Sequence, residues 1–265
     1  MSTLSHGSDL TLAPTLGPVA LATGQSPRQV LGLIAEQGFA SVQLDATLPG
    51  LRPRELDRSA RRDLAATATR CGLTIAGIDF FIPSEHYSDP LYVERAAEAA
   101  AGACSLAGDL GRVPVSLNLP VGDADASLTQ AMTDTADAYG VTLAIHDEAD
   151  TDGLTRWLAE SAPPHVGVGL DPAALLIRDR DPAEAAQTLS DRIRVARLSD
   201  ASKGQADGGR QAVGAGSLAV MPYRVSVDLA PDRLGAVVLD GRGLPSPMQA
   251  MRKAKAVWDQ AAVSF

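Results

Sequence analysis

Short apolar runs, many rich in β-branched residues, alternate with longer helix-like segments about eight times along this chain. Each of the last four runs is followed directly by a polar or charged residue: Val141–Ile145 precedes His146, Val166–Leu170 precedes Asp171, Ile193–Ala196 precedes Arg197, and Ala236–Leu239 precedes Asp240. Near-continuous apolar runs of this length are how strands covered on both faces read, and that requires helices outside the sheet. In a closed parallel sheet the residues that follow the strands meet at one face, where such folds carry their chemistry. His146, Asp171, Arg197 and Asp240 are therefore the first candidates for a catalytic site.

The remaining candidate strands are Pro18–Leu21, Ala40–Leu44, Leu73–Ile78 and Val113–Asn118. Ser26-Pro27, Asp89-Pro90, Asp181-Pro182 and Ser246-Pro247 mark helix starts, each with a capping side chain before a proline at the first helical position. Gly38, Gly72, Gly111 and Gly140 fall where the first four helices should stop. A closed eight-stranded barrel and an open doubly wound sheet both obey this order. The open sheet would carry a glycine-rich turn after its first strand, and Leu21–Ser26 offers a single glycine. The expected fold is one (β/α)8 barrel over residues 11–265, preceded by a flexible arm, residues 1–10.

A chain of 265 residues, 45% of them hydrophobic and 21% charged, is long enough for one large core. With 32 acidic against 23 basic residues the net charge is -9, which repels a nucleic-acid backbone or an anionic membrane. Arg52, Arg54, Arg58, Arg61 and Arg62 are interleaved with Glu55, Asp57 and Asp63 and read as a solvated face. Cys71 and Cys104 are too few for a disulfide framework and read as small buried residues. The N-terminal segment lacks the basic start and apolar run of a signal peptide, and no stretch approaches the roughly 18 apolar residues that span a bilayer. A cytoplasmic location is expected.

Several segments carry a family resemblance: Gly38–Leu44, Leu51–Leu56 through Ser59–Leu64 to Cys71–Leu73, Gly167–Leu176, Val195–Asp200, Val213–Gly216 and Val237–Arg242. In order and spacing, from about Val19 to the C-terminus, they resemble the xylose-isomerase-like TIM barrels of the sugar phosphate isomerase/epimerase family. The resemblance implies a divalent metal (Mn, Mg or Zn) held by a glutamate after the fifth strand, an aspartate after the sixth, a histidine after the seventh and a glutamate after the eighth. It implies too that the two glutamates move a proton between adjacent carbons of a small carbohydrate. Asp171 keeps the implied identity, whereas His146, Arg197 and Asp240 replace glutamate, histidine and glutamate.

Each position also has a simpler reading. Asp171 precedes Pro172 and suits a helix N-cap; Asp240 precedes Gly241 and suits a turn. His146 fits a metal ligand, a general base, or a strand-end histidine bonded to a neighbour. Arg197 neither loses its proton nor ligates a metal, but its charge can stand in for a cation. Two arrangements follow. In one, Arg197 pairs with Asp171, Asp240 or an anionic ligand in a pocket without metal. In the other it swings aside to a substrate phosphate or carboxylate, while His146, Asp171 and Asp240 hold a reduced metal site. The first is simpler, so no tightly bound cofactor is expected.

Gln43, Asp45, Asp79, Asn118, Glu148, Asp200 and Lys203 are candidates to line the same mouth with groups suited to a polyol. The Phe80–Tyr87 loop, with His86, reads as a lid or as a loop packed over the barrel end, and Ser202–Gly209 as a mobile loop. Hydrolase, P-loop, zinc-knuckle and metalloprotease motifs are absent. The resemblance extends to abasic-site endonucleases, but an acidic chain with 4% aromatic residues argues against DNA as a partner. The expected activity is that of a sugar isomerase or epimerase; the alternative is a non-catalytic barrel binding a carbohydrate-like ligand or a protein partner. Oligomeric state is left open.

Overall fold

The computed structural model describes residues 10–122, 126–147, 150–204, 209–230 and 234–262. The main strands are β1 (Thr11–Pro14), β2 (Ser41–Asp45), β3 (Thr74–Phe80), β4 (Val115–Leu117), β5 (Leu143–Ile145), β6 (Val166–Leu170), β7 (Ile193–Leu198) and β10 (Ala236–Leu239). A short antiparallel pair, β8 (Asp200–Ala201) and β9 (Arg210–Gln211), lies between β7 and β10 in the chain. The eight main strands are parallel, in the order β1-β10-β7-β6-β5-β4-β3-β2. A parallel bridge between Thr15 and Gln43 joins the first strand to the last in that row. Ser41 Oγ also donates to the Leu12 carbonyl at 3.1 Å, so the sheet is a nearly closed barrel, as expected.

The outer layer is helical. Its principal helices are α1 (Leu16–Thr23), α2 (Pro27–Glu36), α3 (Arg58–Arg70), α4 (Val93–Asp109), α5 (Ala126–Tyr139), α6 (Thr151–Glu160), α7 (Pro172–Ile177), α8 (Pro182–Thr188), α9 (Val220–Asp228) and α10 (Pro247–Ala262). Pro27, Pro182 and Pro247 are first helical residues as the sequence indicates. Gly38, Gly72, Gly111 and Gly140 have φ of 77°, 74°, 105° and 63°, the left-handed turn that lets each chain leave its helix. At Asp89-Pro90 the chain starts winding, with Val93 N–H bonded to the Asp89 carbonyl at 2.9 Å, but the regular helix begins only at Val93.

The first strand is displaced from the expected Pro18–Leu21. That segment lies in α1, ended by Gly24 at φ 65°, and the true strand is Thr11–Pro14, paired along β10. The eight residues of α1 are so uniformly apolar that no face is marked, so a buried helix and a buried strand read alike there. Proline in the first helical turn removes no intrahelical bond, which is why Pro18 does not break the helix.

Period-two alternation explains what reaches the mouth. Ala144, Val195 and Val238, on β5, β7 and β10, form a small buried cluster of their own. Two residues further along the same strands come His146, Arg197 and Asp240, which share the inward face. Gly169 and Gly77 precede Asp171 and Asp79 by the same two residues. Small residues in one layer thus leave room for polar ones in the next. Gly169 shows this most directly, because a Cβ there would overlap His146 Nε2.

Candidate functional site

The structure brings His146, Asp171, Arg197 and Asp240 together, all buried, with Arg197 wholly inaccessible to solvent. Arg197 Nη1 donates to Asp240 Oδ2 at 2.9 Å and Nη2 to Asp79 Oδ1 at 2.6 Å, so one guanidinium bridges β3 and β10 across the barrel. A second guanidinium comes from β9: Arg210 donates to Asp171 Oδ2 and, at 3.2 Å, to Asp240 Oδ2. A third follows β10: Arg242 Nη2 donates to Asp240 Oδ2 at 2.7 Å, and its Nη1 lies 3.7 Å from Asp79 Oδ2. Three aspartates and three arginines therefore form one charge-balanced network. Phe81 packs against it, with its ring centre 4.0 Å from the Arg242 guanidinium carbon and 4.7 Å from that of Arg197.

Burial alone would raise the carboxyl pKa values of Asp171 and Asp240. The guanidinium charges outweigh it: Arg210, then Arg197, hold Asp171 well below the usual range, helped by the Ser199 hydroxyl, and Arg242, Arg197 and Arg210 do the same for Asp240. Asp171 serves as N-cap and ion-pair partner together. Its Oδ1 accepts from Ala173 N–H at 3.1 Å and Ser199 Oγ at 2.6 Å, while Oδ2 faces Arg210. At His146 burial, then the Arg197 charge, depresses the pKa well below its ordinary value, so the ring is neutral. Among the described residues neither ring nitrogen has a hydrogen-bond partner. Phe81 stands 5.2 Å away, centre to centre.

A cavity of about 490 Å³ opens beside this network, bounded by the ends of β5 and β6 and by α6, α7 and α8. His146 and Asp171 are in its wall, as is Lys203, whose Nζ lies 3.5 Å from Asp179. Arg197 and Asp240 are not in that wall.

The other sequence candidates are placed differently. Gln43 lies inside the barrel, accepting from Thr15 Oγ1 at 3.2 Å and donating to Ser116 Oγ at 3.4 Å. Asn118 grips the backbone of Ile82 through both its carbonyl and its amide. Asp45 sits at the rim against Gly17 and accepts from the Thr47 amide and hydroxyl; burial pushes its carboxyl upward. Asp200 accepts from the backbone N–H of Ala201, Gly214, Gly216 and Leu218, at 2.8 to 3.0 Å, and so anchors the loop that brings Arg210 in. His86 stacks on Tyr92 at 4.5 Å. Glu148 lies outside the described residues. Sequence reasoning missed Arg210 and Arg242. The available signal was charge: buried aspartates at three strand ends require more than one cation.

A profile described as the xylose isomerase-like TIM barrel matches residues 31–227. The chain belongs to this family. Among solved structures of similar shape, a xylose isomerase domain protein from Planctomyces limnophilus superposes with a TM-score of 0.72 at 18% identity, covering 96% of this chain and 95% of that one. A D-psicose 3-epimerase from Clostridium cellulolyticum H10 gives 0.69 at 11%, covering 95% and 99%. A D-allulose 3-epimerase from Methylomonas sp. gives 0.68 at 14%, covering 95% and 98%. At such identities the likeness is one of fold. No curated protein matches the chain.

The divalent metal implied by resemblance to these xylose isomerase-like barrels does not fit the residues present. Among the described residues no three His, Cys, Asp or Glu side chains are grouped to hold a metal. Every oxygen of Asp171 and Asp240 already accepts a hydrogen bond, and the cationic arginines stand between the carboxylates.

Proposed function

We propose that this xylose isomerase-like barrel binds a small carbohydrate-like molecule at its C-terminal mouth without metal-assisted isomerisation. The observation that carries this reading is the bridging of Asp79, Asp171 and Asp240 by Arg197, Arg210 and Arg242. An acid–base pair for moving a proton between carbons works best with pKa values near the working pH. Here the guanidinium groups pull Asp171 and Asp240 in the opposite direction and occupy the oxygens that a metal would need. The adjoining cavity, with a neutral imidazole whose nitrogens lack partners among the described residues, suits a hydroxyl-bearing ligand, because a bound hydroxyl would satisfy a costly buried polar atom.

A second reading, the sugar isomerase or epimerase, is favoured by one feature: His146 is neutral and on the cavity wall, as a general base must be. Incubation with a panel of ketoses and aldoses in deuterated buffer, followed by proton NMR, separates the two. Binding by chemical-shift perturbation without deuterium incorporation at carbon is expected. Incorporation that survives a chelator and vanishes in His146→Gln would establish the second reading, and incorporation dependent on added metal would refute the first.

A further inference from the structure

A second cavity, of about 680 Å³ and with none of the three network aspartates or three network arginines in its lining, lies between the short 3-10 turn Pro53–Glu55 and α4, beside the ends of β2 and β3. Its volume is within the range of small-molecule sites. Four arginines line it, Arg52 and Arg54 from the turn region, Arg61 from α3 and Arg95 from α4, over apolar surface from Phe80 and Ile82. Arg52 Nε and Arg61 Nε are fixed by the Thr47 and Leu56 carbonyls at 3.0 and 3.1 Å. Each of these two also meets a carboxylate, Glu55 at 3.3 Å and Asp109 at 2.7 Å. Among the described residues the side chains of Arg54 and Arg95 make no hydrogen bond or ion pair, and the one acid in the lining itself is Glu98. Guanidinium groups thus outnumber the carboxylates around this cleft in a chain whose net charge is -9.

A local excess of arginine against that background, over an apolar floor, is chemistry that recognises an anion with an apolar body. We propose that this cleft is a second binding site, for an organic phosphate or carboxylate whose charged group is held by Arg54 and Arg95 while its apolar part rests on Phe80 and Ile82. The solvated-face reading from sequence holds for the exposed Arg54, Arg58 and Arg62 and is revised for Arg61, which turns inward to backbone carbonyls and sets one wall of the site.

Isothermal titration of the full chain with 1-naphthyl phosphate, 1-naphthoate and inorganic phosphate tests this. Saturable binding of at least one naphthyl anion is expected, tighter than inorganic phosphate and weakened by added salt. The preference between the two naphthyl compounds identifies the anion. The double variant Arg54→Ala, Arg95→Ala changes two exposed side chains, so the melting temperature should hold while affinity falls by roughly tenfold or more. Absence of saturable binding by both naphthyl anions, or unchanged affinity in the double variant, overturns the proposal.

Discussion

At the scale of residues, one arginine decides the character of the mouth. Arg197 is the only described residue that touches both Asp79 and Asp240 at 2.6 to 2.9 Å, and it does so without solvent contact. Removing one member of a buried ion set leaves uncompensated charge, which typically costs about 3–5 kcal/mol. Arg197→Ala should therefore lower the unfolding free energy by about that much in urea titrations, and Arg197→Lys by less, because an ammonium keeps the positive charge although it lacks the planar fork that bridges the two carboxylates. A loss below about 1 kcal/mol for the alanine variant would show that Arg210 and Arg242 alone neutralise the aspartates. Sequence left Asp171, Asp240 or an anionic ligand open as the partner of Arg197, since an arginine beside a buried strand end needs an anion; the structure pairs it with Asp240 and also with Asp79. Arg210 was not, because it arrives from a loop whose path no local pattern fixes.

At the scale of elements, the segment from β8 through β9 to Leu218 places that second arginine. Its anchor is Asp200, whose four backbone donors make a nest around the carboxylate. Asp200→Ala should release the loop: amides of Gly214, Gly216 and Leu218 should exchange with deuterium much faster while those of β6 keep their protection, and global stability should fall by on the order of 2 kcal/mol. Unchanged exchange at these amides would show that the loop is held by other contacts. Gly214 and Gly216 bring their backbone N–H groups onto an anion, and that anion is the chain's own Asp200. Helix starts were legible at Ser26-Pro27, Asp181-Pro182 and Ser246-Pro247, as at Asp181, whose Oδ1 accepts from Ala183 N–H at 2.7 Å, whereas after Asp89-Pro90 the regular helix waits until Val93. The first strand was not, because α1 carries no polar face to give it a period.

At the scale of the whole molecule, alternation of buried strands with capped helices, together with the lack of a glycine-rich turn after the first expected strand, indicated a closed parallel barrel, and the candidate site's position at the strand ends followed from that closure. The buried network then links stability to pH. His146 is held neutral in the fold but binds a proton near pH 6.5 when unfolded. Its contribution is therefore complete above that value and declines as pH falls below it, by up to about 1.4 kcal/mol per pH unit. Asp171 and Asp240, depressed in the fold, add stability that persists down to about pH 4 and is lost below. Unfolding titrations between pH 7 and 5 should show the decline in the native chain and a flatter profile in His146→Phe; equal slopes would mean that His146 protonates freely in the fold. The central claim is that guanidinium groups hold the mouth in place of a metal. It is tested most directly by dialysing the protein against chelator, measuring its metal content, and titrating it with Mn by calorimetry. Metal far below one per chain and no saturable Mn binding are expected. About one Mn, Zn or Mg per chain that survives the chelator, or stoichiometric Mn binding afterwards, would contradict it.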